Sequence, residues 1–216
     1  MKKGNFLSLF FVCFSVLFLD NLSVSAEWEK PKINLINSYR YLLRESHSIY
    51  IKRAQAEFSY SRGSDTFSRI KFTPFIEMRN NLSKSRKLEQ KETGLELGAD
   101  VFKWLYLGES LQYARYNLDW ANYIWHPRIK YAFEAETRLT LSLPIFDMGD
   151  GESISAYLSD EFTYSFRLSE GVRNEVALGL SIPIKSYLEA NLGWRHIDRI
   201  HDFDSDAIEA AVTLIF

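Results

Sequence analysis

The chain has 216 residues, 26 Lys and Arg against 28 Asp and Glu, and a formal net charge of −2, so no basic excess points to nucleic acid. With one cysteine, Cys13, it has no intramolecular disulfide, and a metal site would have to be built from His and carboxylates. Five prolines and ten glycines are few breaks for a chain this long, and they leave extended stretches for regular structure.

Residues 1–26, "MKKGNFLSLFFVCFSVLFLDNLSVSA", place Lys2 and Lys3 before an apolar run from Phe6 to Leu19. Val24 and Ala26 then stand at the minus-three and minus-one positions of a cleavage site, the pattern of a secretory signal peptide. The run is shorter than the roughly 20 residues of a spanning helix, and no later run exceeds it. Cys13 lies within it, without the small residues that precede a lipid-modified cysteine. The expected division is signal peptide 1–26 and one domain, 27–216. Removing residues 1–26 takes away Lys2, Lys3 and Asp20 and moves the net charge from −2 to about −3.

Beyond the signal, alternation of apolar and polar residues recurs in segment after segment. Ten strands are expected: 33–44, 49–60, 67–79, 93–104, 108–118, 128–143, 153–166, 172–182, 186–198 and 206–216. The first, "INLINSYRYLLR", has the weakest pattern; the alternative is an N-terminal helix beside or inside an eight-stranded barrel. In "RIKFTPFIEMR", Ile70, Phe72, Pro74, Ile76 and Met78 oppose Arg69, Lys71, Thr73, Phe75, Glu77 and Arg79. In "LGESLQYARYNL" neither face is clean, because Glu109 and Arg115 share one with Leu111 and Tyr113.

The longest run, "RIKYAFEAETRLTLSL", sets Ile129, Tyr131, Phe133, Ala135, Thr137, Leu139, Leu141 and Leu143 against Lys130, Ala132, Glu134, Glu136, Arg138, Thr140 and Ser142. "NEVALGLSI" and "IKSYLEANLGW" repeat the pattern, and Asp160 stands out as a carboxylate on the apolar face of its strand. The segment 206–216 places Ile208, Ala210, Val212, Leu214 and Phe216 on one face. Such segments match the 9 to 11 residues of a tilted transmembrane strand, with a charged face that needs water or other charges to solvate it. The expected fold is therefore all-β, a closed antiparallel up-and-down transmembrane β-barrel of about ten strands, apolar side outward. An even strand number puts both termini on the periplasmic side. The outer connections are then 45–48, 80–92, 119–127, 167–171 and 199–205.

The run "YLSDEFTYSFRLSEGVRNEVALGLSIPIKSYLEANLGW", with "LELGADVFKWLYLGESLQYARY" and "HPRIKYAFEAETRLTL", resembles a bacterial family of small outer-membrane β-barrel proteins of unknown function. The resemblance implies a fold and a location in the bacterial outer membrane, and no activity. Phe216, with Leu214 and Val212 at every second position before it, resembles the signal that the barrel-assembly machinery reads on a last strand. The expected partners are that machinery and outer-membrane lipid; no nucleic acid and no cofactor are expected.

Strand parity turns Arg69, Lys71, Glu77, Arg79, Glu134, Glu136, Arg138, Glu161, Glu175, Glu189 and Arg195 toward the lumen, together with Arg53, Glu57, Glu96, Asp100, Lys130, Arg173 and Glu209. Two readings follow: an ion-pair network that fills a narrow barrel, or the lining of a narrow pore for small solutes or ions. The first gives a structural or interaction barrel, not an enzyme. His201, Asp202, Asp204 and Asp206 offer hard oxygen ligands but lack the glycine and distal Glu of an EF-hand loop, so no metal is expected. His196 and Asp198 face outward at a rim, where a lipid-modifying enzyme would also need a nucleophilic Ser that the sequence does not place. Trp104 and Tyr106 at one edge, with Trp120, Tyr123 and Trp125 at the other, are expected to form two aromatic girdles.

Overall fold

The computed structural model describes residues 26–62, 69–81, 88–116, 131–149, 152–200 and 204–216. They form eleven strands: β1 Ala26–Trp28, β2 Lys32–Leu42, β3 His47–Arg62, β4 Arg69–Asn81, β5 Leu88–Phe102, β6 Leu105–Tyr116, β7 Tyr131–Gly149, β8 Glu152–Ser165, β9 Glu170–Lys185, β10 Leu188–Arg199 and β11 Ser205–Ile215. From β2 to β11 each strand pairs antiparallel with the next, and β11 pairs with β2. This is the ten-stranded closed barrel expected from the alternation; closure leaves no unpaired edge along its wall.

The seam is complete to the end of the sequence, where Ile33 and Phe216 exchange backbone hydrogen bonds of 3.0 and 2.9 Å. Ala26 and Phe216 therefore lie toward one end of the barrel, here the terminal end. The turns after Leu42, Ser165 and Arg199 mark the other, distal end.

The first long segment is the strand β2, as expected, and not the alternative helix. Three features differ from the sequence reading. A short strand, β1, precedes β2 against the same side of β3, since β4 occupies the other side of Tyr60 and Ser61. Segment 144–152, expected as a turn, is mostly strand: β7 runs to Gly149 through register shifts at Pro144/Phe146 and Asp147/Gly149. Bulges let an extended chain continue where simple alternation fails, which hid this extension. Third, β5 begins at Leu88 inside the expected loop 80–92; Lys91 and Thr93 on its outward face are polar, so apolar alternation does not mark this part of the strand. Residues 1–25, which hold most of the expected signal peptide, lie outside the described residues, as do Lys130, Trp120, Tyr123, Trp125, His201 and Asp202.

The two faces of the wall are chemically inverted relative to a water-soluble barrel. Ile76, Leu178, Leu192, Ile208 and Val212 are exposed on the outside, whereas Glu77, Glu92, Glu134, Glu136 and Glu175 are buried. A wall of this kind buries its charge and offers its hydrocarbon to the surroundings.

Candidate functional site in the lumen

The inward positions of the barrel bring arginines and glutamates from distant strands to one level. Arg79 meets Glu77 and Glu92 at 2.5 and 3.5 Å, and Arg53 meets Glu77 and Glu96 at 3.6 and 3.4 Å. Arg138 then joins Glu96, Glu136 and Glu161 at 3.4, 3.0 and 3.3 Å. Arg173 links Glu136 to Glu175 at 3.7 and 3.1 Å.

The circuit closes through Arg195, which contacts Glu161, Glu175 and Glu209 at 3.0, 2.7 and 2.9 Å, and Arg40, which contacts Glu175 and Glu209 at 3.3 and 3.0 Å. Tyr106 on β6 donates its hydroxyl proton to Glu96. Each of the ten barrel strands thus contributes a side chain to one connected network. Its cations are all arginine, whose planar fork of five donors can hold two or three carboxylates at once where a lysine ammonium offers a single point of charge.

Aromatic rings and glycines set the spacing of these groups. A Cβ on Gly98 would lie 2.0 Å from the Tyr106 hydroxyl oxygen, so the bare glycine is what lets the ring lie along the inner wall and reach Glu96. Tyr157 lies in the same way over Gly179 and Gly193, where added Cβ atoms would come within 2.6 and 2.7 Å of its hydroxyl oxygen. Arg53 stacks on the Phe75 ring, its guanidinium carbon 3.9 Å from the centroid. Toward the distal end, Leu42, Ile197 and Ala207 form a small buried apolar cluster with Ile49 packed against it.

Of the side chains expected in the lumen, Glu77, Arg79, Glu136, Arg138, Glu161, Glu175 and Arg195 stand in this network. Glu134 is buried beside it and accepts a 3.3 Å hydrogen bond from Gln112. Arg69, Lys71 and Glu189 lie toward the terminal end in separate contacts: Arg69 with Glu29 at 2.8 Å, Lys71 with Asp100 at 3.2 Å, and Glu189 with Asn191 at 3.0 Å. Sequence reasoning missed Arg40, Glu92 and Tyr106. Arg40 shares its face of β2 with Asn34 and Ser38, a weak inward signal in a segment whose outward tyrosines, Tyr39 and Tyr41, are themselves amphipathic. Tyr106 was expected in an outer girdle; the structure turns it into the lumen, while Trp104 is exposed and stacks on Phe102.

The outer face carries a few polar groups. Glu109 on β6 accepts a 2.6 Å hydrogen bond from Thr137 on β7, and the ambiguous parity of β6 resolves with Glu109 outward beside Leu111. His196 pairs with Asp206 at 3.0 Å rather than with Asp198. Among the described residues no three His, Cys, Asp or Glu side chains come together as a metal site.

No family model matches this chain, and no curated protein matches it. Among solved structures it is similar to the β domain of the Bordetella autotransporter BrkA, with 10% identity, a TM-score of 0.44, and 85% of this chain and 98% of that chain covered. The NanC porin gives 9% identity and a TM-score of 0.45 over 84% of this chain and 98% of that one. The translocator domain of the autotransporter NalP from Neisseria meningitidis gives 9% and 0.39 over 98% and 96%.

Proposed function

We propose that this protein is an integral barrel of the bacterial outer membrane whose lumen is shut by its own charges, a structural or interaction barrel rather than a conduit or an enzyme. The supporting observation is the arginine–glutamate network, which reaches every strand of the barrel and places buried carboxylates where a channel would hold water. The apolar outer face supports membrane insertion, with the terminal end in the periplasm as for barrels of even strand number. Residues 1–26 act in this reading as the cleaved export signal, and cleavage after Ala26 would shorten β1 by one residue.

Phe216, Leu214 and Val212 form the assembly signal in this reading, all on the outward face of the closing strand. Two measurements test the proposal. The protein should fractionate with outer membranes and migrate differently on gels when unheated and heated; recovery from the soluble periplasm would overturn the location. In planar bilayers it should give no steady conductance. Open-channel currents from the unaltered protein would replace the closed reading with the narrow pore.

A further inference from the structure

We infer that the terminal half of the lumen, between the charge network and the ends of β7 to β11, is a blind cup that binds a short neutral saccharide entering from the periplasm; this rests on the closed outer-membrane reading above. Along each of these strands the face that carries the network continues toward the terminal end with small polar groups. Thr140 and Ser142 follow Arg138 on β7, and Ser155 and Tyr157 precede Glu161 on β8. Ser181 follows Glu175 on β9, Asn191 precedes Arg195 on β10, and Thr213 follows Glu209 on β11.

The lumen is not evenly filled. Beyond the network toward the distal end, the inward residues Gln90, Gln112, Ala114, Ser165, Val172 and Ser205 are buried. The polar groups on the terminal side are half-exposed, as is the Tyr157 ring. The described turns at this end, 103–104 and 186–187, have two residues each and are too short to fold across the mouth. Solvent therefore enters from the terminal end and stops at the network.

The chemistry of the cup is that of a polyol site. Ser155, Ser181 and Asn191 are successive register partners on three adjacent strands, and Ser142, Tyr157, Gly179 and Gly193 are the successive partners beside them. Neighbouring strands lie about 4.8 Å apart, which brings groups on two of them within reach of one sugar ring. Tyr157, laid over Gly179 and Gly193, keeps the other face of its ring toward the lumen, and the negative face of an aromatic ring attracts the C–H groups of a sugar. Among the described residues, the hydroxyls of Thr140, Ser142, Ser155, Ser181 and Thr213 make no hydrogen bond within the protein. Each can donate and accept, as a sugar hydroxyl does. Charge at this end is already matched, Glu189 with Asn191, Asp147 with the Gly149 amide, Lys71 with Asp100 and Arg69 with Glu29, which favours a neutral ligand.

The test titrates the folded barrel in detergent micelles with chitotriose and with maltotriose, reading binding by calorimetry, and measures the entry of both sugars into vesicles that hold the protein. The unaltered protein should bind at least one of them and admit neither. The double variant Ser155→Ala, Ser181→Ala should bind about tenfold more weakly, since two hydrogen bonds are lost. Tyr157→Leu should also lose about tenfold with the stacking face, whereas Tyr157→Phe, which keeps the ring, should lose less.

No binding of either sugar, or undiminished binding by the double Ala variant, would overturn the inference. Tighter binding of a carboxylate-bearing hyaluronan tetrasaccharide than of the neutral sugars would overturn the ligand class. Should Tyr157→Leu fail to fold, as gel mobility reports, the double Ala variant decides. Entry of the sugars into vesicles would overturn the blind end of the cup together with the closed reading. Loss of calorimetric binding leaves that reading standing, so the two failures are told apart.

Discussion

Arg40 on β2 and Glu175 on β9 meet at 3.3 Å although 135 residues separate them in sequence and β11 and β10 lie between their strands in the wall. The contact is a chord across the lumen at the closing seam, and both groups share further partners: Arg40 with Glu209, and Glu175 with Arg173 and Arg195. A double-mutant cycle of Arg40→Gln and Glu175→Gln should give a coupling energy of about 1 kcal/mol or more. Additive effects in urea unfolding from vesicles would show that the chord carries no energy.

Arg138 holds three carboxylates, those of Glu96, Glu136 and Glu161. Replacing it with Ala leaves buried negative charge without its nearest cation, at a cost of about 3 to 5 kcal/mol. A lumen filled with water would solvate the carboxylates and leave stability nearly unchanged, with cation selectivity raised. Denaturation and conductance on Arg138→Ala therefore separate the closed barrel from the pore.

Gly98→Ala should destabilise the barrel by about 1 to 3 kcal/mol, the usual cost of overpacking. The atoms nearest the added methyl all belong to Tyr106, which would have to leave Glu96. Combining Gly98→Ala with Tyr106→Ala should then cost less than the two single changes added together. Strict additivity would mean that the ring is not held over the glycine.

Glu109 faces outward beside Leu111 and keeps a hydrogen bond to Thr137. On a lipid-facing wall its replacement by Leu removes a costly carboxylate, and Glu109→Leu should gain about 1 kcal/mol in a bilayer. Against water the same change would gain nothing and expose more hydrocarbon. Equilibrium unfolding in vesicles decides between the two surroundings.

Phe216 is exposed at the closing seam while its backbone remains paired with Ile33. Phe216→Ala keeps both backbone hydrogen bonds, so a fall in assembled barrel at unchanged expression would report recognition of the ring rather than loss of pairing. Unchanged assembly would remove Phe216 from the assembly signal.

The alternation of "RIKYAFEAETRLTLSL" and of the segment 206–216 was enough to determine the barrel class and which face of these strands holds charge, because a strand's period of two is a local property of the backbone. It was weaker for β2 and β6, which it still marked as strands, and it missed the start of β5. There the outward face carries Asn37, Glu109, Lys91 and Thr93, so apolar alternation lapses although the strand continues. The partners inside the lumen were beyond the sequence altogether. Parity turns Arg195 inward, but its meeting with Glu161, Glu175 and Glu209 on three other strands depends on how the closed sheet staggers its registers. Residues far apart in the chain become lateral neighbours only when consecutive antiparallel strands fix their register, a condition set by hydrogen bonding between strands.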